Sequence, residues 1–386
     1  FVRFISSATG AALDPPPGSG LAGTQIRIQR EDSLCWNSTV WGACSEASWL
    51  TRATNTPWTK STQWPASNGS DLENGKQYTV YARSYDVASN TQPLATSPFA
   101  QFRFDISSPT AVMSLPADNA RYNSLALIQG TARDPVPSAG ISPRSAPVGF
   151  PEIRIHRLSN NTYWKDGAGW RPGATEPETW NLALDSSTSQ TGQTFAWRYD
   201  ASVITPLPDA DQGYSVETRV RDAAGNYVVM AATFTIDSTA PTSVTTAPVV
   251  SGLSFSSMTA LYGTSLDDTS NISAVGIKMW YVTGSATYYW TPDPVLVFGG
   301  NKHWTTSDPG FTSITGAGGA LGVPNPWTYT HTRFTTPGTL FAWKEATHDG
   351  ANGHLFNIIT QAVEAAGNYQ VLFTTRTFLF DNEPPD

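Results

Sequence analysis

The chain has 386 residues, 39% hydrophobic and 12% aromatic with 14 Trp, enough apolar surface for roughly two or three buried cores. Only 14% of residues are charged, the net charge is −8, and Lys and Arg nowhere cluster, which excludes a nucleic-acid phosphate backbone as partner. There is no run of about eighteen apolar residues, so no helical membrane span is expected in this segment, and the many Gly and Pro (31 and 28) point to turn-rich β structure.

The opening Phe1-Val-Arg-Phe reads as a strand without initiator Met or leader, and Asn382-Glu-Pro-Pro-Asp386 reads as a linker. The expectation is a processed or excised piece of a longer polypeptide. A short strand ending in an acid follows, Gly10-Ala-Ala-Leu-Asp14, and it returns as Gly130-Thr-Ala-Arg-Asp134 and Gly263-Thr-Ser-Leu-Asp267-Asp268. Next comes Ile26-Arg-Ile-Gln-Arg, with Ile153-Arg-Ile-His-Arg and Ile277-Lys-Met-Trp as counterparts. Cys35 and Cys44 lie in one loop and are expected to form a local disulfide, in an oxidising, extracytoplasmic setting.

A Trp-rich middle contains Trp36, Trp41, Trp49 and Trp58, then Trp164, Trp170, Trp180 and Trp197, then Trp290, Trp304, Trp327 and Trp343. After it comes the clearest repeat. Tyr78-Thr-Val-Tyr-Ala-Arg-Ser-Tyr-Asp86-Val-Ala-Ser-Asn90 returns as Tyr214…Asp222-Ala-Ala-Gly-Asn226 and Phe356…Glu364-Ala-Ala-Gly-Asn368. Tyr214, Val216, Thr218 and Val220 alternate with polar residues, the period of a half-buried antiparallel strand. Ala-Gly-Asn supplies a tight turn. A second strand ends in Phe-x-x-Asp or its equivalent (Asp105, Asp237, Asp381), and a Pro follows (Pro109, Pro241, Pro384). About seven short strands per unit predict three immunoglobulin-like Greek-key β-sandwiches in tandem, over 1–108, 109–241 and 242–386.

The hallmark Tyr-x-Val…Asp-x-Ala-Gly-Asn, then Phe-x-x-Asp and Pro, with upstream Tyr163-Trp164 and Tyr289-Trp290, resembles the bacterial immunoglobulin-like repeats of very large secreted or surface proteins. The first unit departs with Cys35-Trp36 and with Val-Ala-Ser-Asn90. The resemblance implies an extracellular or cell-surface protein that serves as a stalk, filament or adhesive layer, and its partners would be neighbouring copies or further repeats.

The repeated acids have two readings. A strand of eight residues spans about 26 Å, which carries Asp222 and Asn226 to the end bearing Asp134 and the preceding Asp105. Asp237, Asp267, Asp268, Glu364 and Asn368 converge in the same way. Hard oxygen donors grouped so could bind Ca²⁺ and stiffen the junctions; alternatively each acid caps its own turn. The recurring Trp residues fit core packing, an interface between chains, or, at Trp41 and Trp170, stacking on glycan rings. Thus the alternative function is a glycan- or protein-binding adhesin module. The loop His348-Asp-Gly-Ala-Asn-Gly-His354 falls where the other units carry variable surface loops. No nucleophile, zinc or phosphate-loop motif occurs, so no enzyme is expected.

Alignment of Gly10 with Gly130 leaves no counterpart of Pro109 to Ala120 before Phe1. Either the sequence is a window from a longer array, or a neighbour completes the first unit by strand addition and the subunits polymerise head to tail.

Overall fold

The computed structural model describes residues 1–52, 57–93, 99–135, 151–172, 180–185, 194–204, 211–249, 251–297, 300–335 and 354–381. Among them there are strands and three short 3-10 turns but no α-helix. Trp343, Pro384 and most of the 348–354 loop lie outside the described residues.

The strands form three sheet pairs in chain order. In the first, a six-stranded sheet runs Trp41–Ala43, Leu34–Trp36, Leu21–Arg30, Gln77–Asp86, Phe99–Arg103, with Leu50–Arg52 also on Leu21–Arg30, and a two-stranded sheet joins Ala8–Gly10 to Trp58–Lys60. The middle pair has a seven-stranded sheet ordered Ala120–Tyr122, Tyr227–Ile236, Gln212–Arg221, Glu152–Arg157, Thr162–Lys165, Gly169–Pro172, with Asn181–Leu182 on Glu152–Arg157. Its four-stranded sheet runs Leu184–Asp185, Thr194–Asp200, Leu127–Arg133, Thr110–Leu115. The third pair has Leu253–Phe255, Arg376–Phe380, Leu355–Glu364, Ile272–Thr283, Ala286–Val297, Gly300–Thr305, with Thr312–Ser313 on Ile272–Thr283. Beside it lies a three-stranded sheet of Thr242–Ala247, Ala260–Leu266 and Asn325–Thr330. The chain is thus an all-β array of three immunoglobulin-like sandwiches, and among the described residues each has more strands than the expected seven. By contact its residues gather into two compact units: Phe1–Asp118, Ala126–Ile204 and Ser215–Ala232 in one, Asn119–Leu125, Thr205–Tyr214 and Thr233–Asp386 in the other.

Each repeated phrase folds as its alternation dictates. Tyr214, Val216, Thr218 and Val220 are wholly buried, and each large apolar side chain so buried contributes roughly 1.5–3 kcal/mol. Tyr78 and Phe356 head their strands in the same fully buried position. The Tyr78 hydroxyl accepts the Glu73 N–H at 2.7 Å, a tyrosine-corner arrangement. In the third sandwich Leu261, Trp327 and Tyr329 of one sheet share a core with Ile277, Met279, Phe356 and Phe378 of the other. In the first, Trp58 and Ala8 pack with Ile26, Ile28, Tyr78 and Phe104.

One device recurs three times. Gly10, Gly130 and Gly263 stand directly across the ladder from Trp58, Trp197 and Trp327. The indole lies where a Cβ on the glycine would be, so only Gly admits it. Pro109 and Pro241 do not merely end the sheets: each immediately precedes an edge strand, Thr110–Leu115 or Thr242–Ala247.

Candidate metal centres

Three strands deliver one acid each to a common point. Asp105 lies just past Phe99–Arg103, Asp134 follows Leu127–Arg133, and Asp222 follows Gln212–Arg221. All three are buried, and one oxygen from each lies within 4.8 Å of the others. Asn226 ties the group together: its backbone N–H and its Nδ2 donate to the two Asp222 carboxylate oxygens at 2.8 Å, and Nδ2 also donates to the Asp105 carbonyl at 2.9 Å. Gly225, at φ 92°, permits the turn that brings Asn226 back. Desolvation pushes the Asp222 carboxyl above its ordinary pKa; the Asn226 donors oppose that shift and the charge of Asp105 adds to it.

The second group repeats the plan with Asp237, Asp267 and Glu364, again buried, with ligand atoms within 4.8 Å of one another. Asp237 Oδ1 accepts the Thr239 N–H at 3.1 Å, while Asp267 Oδ1 accepts those of Thr269 and Ser270 at 2.9 and 2.7 Å. Ser270 Oγ and Asn368 Nδ2 each donate to Glu364, and Asn368 Nδ2 donates to the Asp237 carbonyl at 2.8 Å. The remaining oxygens, Asp237 Oδ2 and Asp267 Oδ2, are buried with no hydrogen-bond donor. Burial pushes Glu364 up to about 7; the Ser270 and Asn368 donors oppose that shift, and the neighbouring Asp237 carboxylate adds to it, through hydrogen bonding first and through its charge second. Asp237 is likewise raised, chiefly by desolvation.

Buried carboxylate oxygens without donors are costly, and several together favour either a retained proton or a cation. Turn capping accounts for one oxygen each of Asp237 and Asp267 and leaves the other. The donor set is oxygen only, without thiolate or imidazole, which suits a hard cation such as Ca²⁺ and not zinc. The residues present therefore fit the ion.

Of the acids read from sequence, the structure brings six into these two trios. Asp268 is exposed and stands outside, because the chain turns after Asp267 to present backbone N–H groups to the Asp267 carboxylate. Asn226 and Asn368 turn amide N–H groups toward carboxylate and carbonyl and so brace the two trios. Sequence reasoning missed Ser270 and Thr239, whose signal was a hydroxyl residue two or three places beyond an acid.

The first sandwich carries the equivalent acids Asp14 and Asp86 in a different setting. Asn90 donates to both Asp86 oxygens at 2.7 Å, and these bonds hold the carboxyl below its ordinary pKa. Asp14 Oδ2 accepts the Gly20 N–H at 2.7 Å. Both acids line a cavity of about 470 Å³ together with Trp58 and Asn90.

The remaining candidates are structural in placement. Cys35 and Cys44 are bonded, with Cα atoms 4.9 Å apart. Trp41 is half-buried, with Trp36 and Tyr78 ring centroids each 5.4 Å away, the Arg30 guanidinium at 5.3 Å and its indole N–H on the Asp71 carbonyl. Trp170 packs edge-on to Trp164 at 5.7 Å and beneath Arg157 at 4.4 Å. Such neighbours cover much of the ring surface a sugar would need. Arginines also cover Trp49 (Arg27 and Arg83) and Trp180 (Arg154 and Arg219).

No family model and no curated protein matches the chain. Among solved structures it is similar to part of a 1.5-MDa bacterial ice-binding adhesin, at 13% identity and TM-score 0.30, over 98% of this chain and 91% of that one. It is also similar to the FN1–FN3 domains of chicken CNTN1, at 12% identity and TM-score 0.30, over 95% and 99%. A tetra-tandem repeat from the extending region of a large adhesion protein matches at 14% identity and TM-score 0.26, over 99% and 71%.

Proposed function

We propose that this chain is a structural segment of an extracellular or cell-surface repeat protein, a stalk, filament or adhesive layer, in which Ca²⁺ ions fix the acid clusters. The supporting observation is the pair of buried, donorless oxygens on Asp237 and Asp267 beside Glu364. An ion there would be held by Asp237, Asp267 and Glu364, and its counterpart by Asp105, Asp134 and Asp222. In each case it would link the end of one repeat's last strand to loops that follow it in the chain. No catalytic role is assigned. The Cys35–Cys44 bond accords with an oxidising location, and no helix of the described residues is long and apolar enough to cross a membrane.

Thermal unfolding of the intact chain in EDTA and in millimolar Ca²⁺ tests this reading. Saturation at a hundredfold above Kd would stabilise a site by about 2.7 kcal/mol. Superimposable curves in the two conditions would overturn the proposal.

A further inference from the structure

The first sandwich differs from the other two at one edge. In the second, Thr110–Leu115 lies along Leu127–Arg133, and the Val112 carbonyl oxygen, like the Trp197 indole, occupies the place a Cβ on Gly130 would take. In the third, Thr242–Ala247 lies along Ala260–Leu266, and the Val244 carbonyl does the same at Gly263 opposite Trp327. In the first, Ala8–Gly10 pairs with Trp58–Lys60, and no strand of the described residues pairs with its other edge. The three atoms nearest a Cβ on Gly10 all belong to Trp58. Backbone donors and acceptors along such an edge are a template for another strand.

The acids show the same difference. Asp105 and Asp237 close their trios, and each is followed within a few residues by a Pro and then by the strand that covers the edge. One continuous acid-led segment therefore fills both places in the second and third sandwiches. In the first, Asp14 and Asp86 instead line the open cavity, and Ala11, Ala12 and Leu13, which follow directly from Gly10, line it too.

We propose that this face of the first sandwich accepts the acid-led strand of a further repeat of the same kind. The incoming strand adds to the open edge of Ala8–Gly10, and its leading carboxylate joins Asp14 and Asp86 around one divalent cation. Two acids and an incoming third would repel without the ion, which makes capture cation-dependent. The cation component rests on the function proposed above; the strand component stands on the open edge alone.

The test is a fluorescent peptide of residues 105–116 titrated into the intact chain with Ca²⁺ or EDTA, with hydrogen exchange read at Ala8, Thr9 and Gly10. Saturable one-to-one binding that protects these amides is expected. Affinity should fall at least tenfold in EDTA or with Asp105→Asn in the peptide, and should be lost with Met113→Pro and Ser114→Pro together, because Met113 to Leu115 is the stretch that faces the equivalent of Gly10 in the second sandwich. Because these changes are in the peptide, the folding of the acceptor is not at risk. No saturable binding, binding that leaves Ala8–Gly10 unprotected, or binding by the double-proline peptide overturns strand capture. Affinity unchanged in EDTA overturns the shared ion. A Ca²⁺-dependent melting temperature without peptide capture would sink this inference while leaving the stabilised clusters intact.

Discussion

Asp86 and Glu364 occupy equivalent places after equivalent strands, and each is bracketed by an Asn, Asn90 or Asn368. Their proton affinities nevertheless move in opposite directions. Asp86 faces an open cavity, and Asn90 keeps its carboxyl easily ionised. Glu364 is enclosed with Asp237 and Asp267, and burial makes it reluctant to ionise. The motif fixes where the acid stands. What covers it decides whether it is a turn cap or part of a charged cluster that a cation would relieve.

The largest effect expected is from the indoles that hold the covered sandwiches together. Trp197→Ala should cost about 4 kcal/mol, within the range for a buried Trp, and Trp58→Ala, at the open edge, should cost less. Equal losses in urea unfolding would show that the covering strand adds nothing to that packing. Next in size is the metal response. Glu364→Gln should abolish most of the Ca²⁺-induced rise in melting temperature from its cluster and raise the melting temperature in EDTA, because it removes a buried charge. A loss of stability in EDTA would mark Glu364 as an ordinary structural acid.

A pH scan in EDTA sharpens the contrast further. Glu364 is pushed up to about 7 in the folded chain, against an ordinary value near 4.5. The folded state therefore binds the proton more tightly than the unfolded one. The favourable contribution of the protonated form is fully present below about pH 4.5 and is lost as pH rises through 7. The EDTA-treated protein should melt lower at pH 8 than at pH 5, and Ca²⁺ should remove that difference. Asp86 has the opposite sign: its folded pKa is depressed, so its contribution is present above the ordinary carboxyl range and fades as acid titrates it. Asp86→Asn should accordingly give the smallest shift of the set, seen only at neutral pH by differential scanning calorimetry.

Much of this was legible from spacing. The alternation of Tyr214 to Val220 gave the buried face, and the matching acids gave the two trios. Burial was not legible, since nothing in Asp267-Asp268 says which acid turns inward. That choice is made by the Thr269 and Ser270 N–H groups. The partners of the tryptophans were also hidden, because Gly130 and Trp197 meet only across the ladder and Arg157 reaches Trp170 from another strand. The edge role of Pro109 escaped notice because a proline reads as punctuation, whereas here it opens the next strand.

The pairing of glycine with tryptophan also bears on how such a chain can diversify. Gly10 meets Trp58, Gly130 meets Trp197 and Gly263 meets Trp327 at the same structural point, although the intervening stretches differ in length and content. A clasp that locks two strands by shape leaves the connecting loops free to lengthen, shrink or acquire new chemistry without shifting the ladder. Variety of surface can thus accumulate on an unchanging frame.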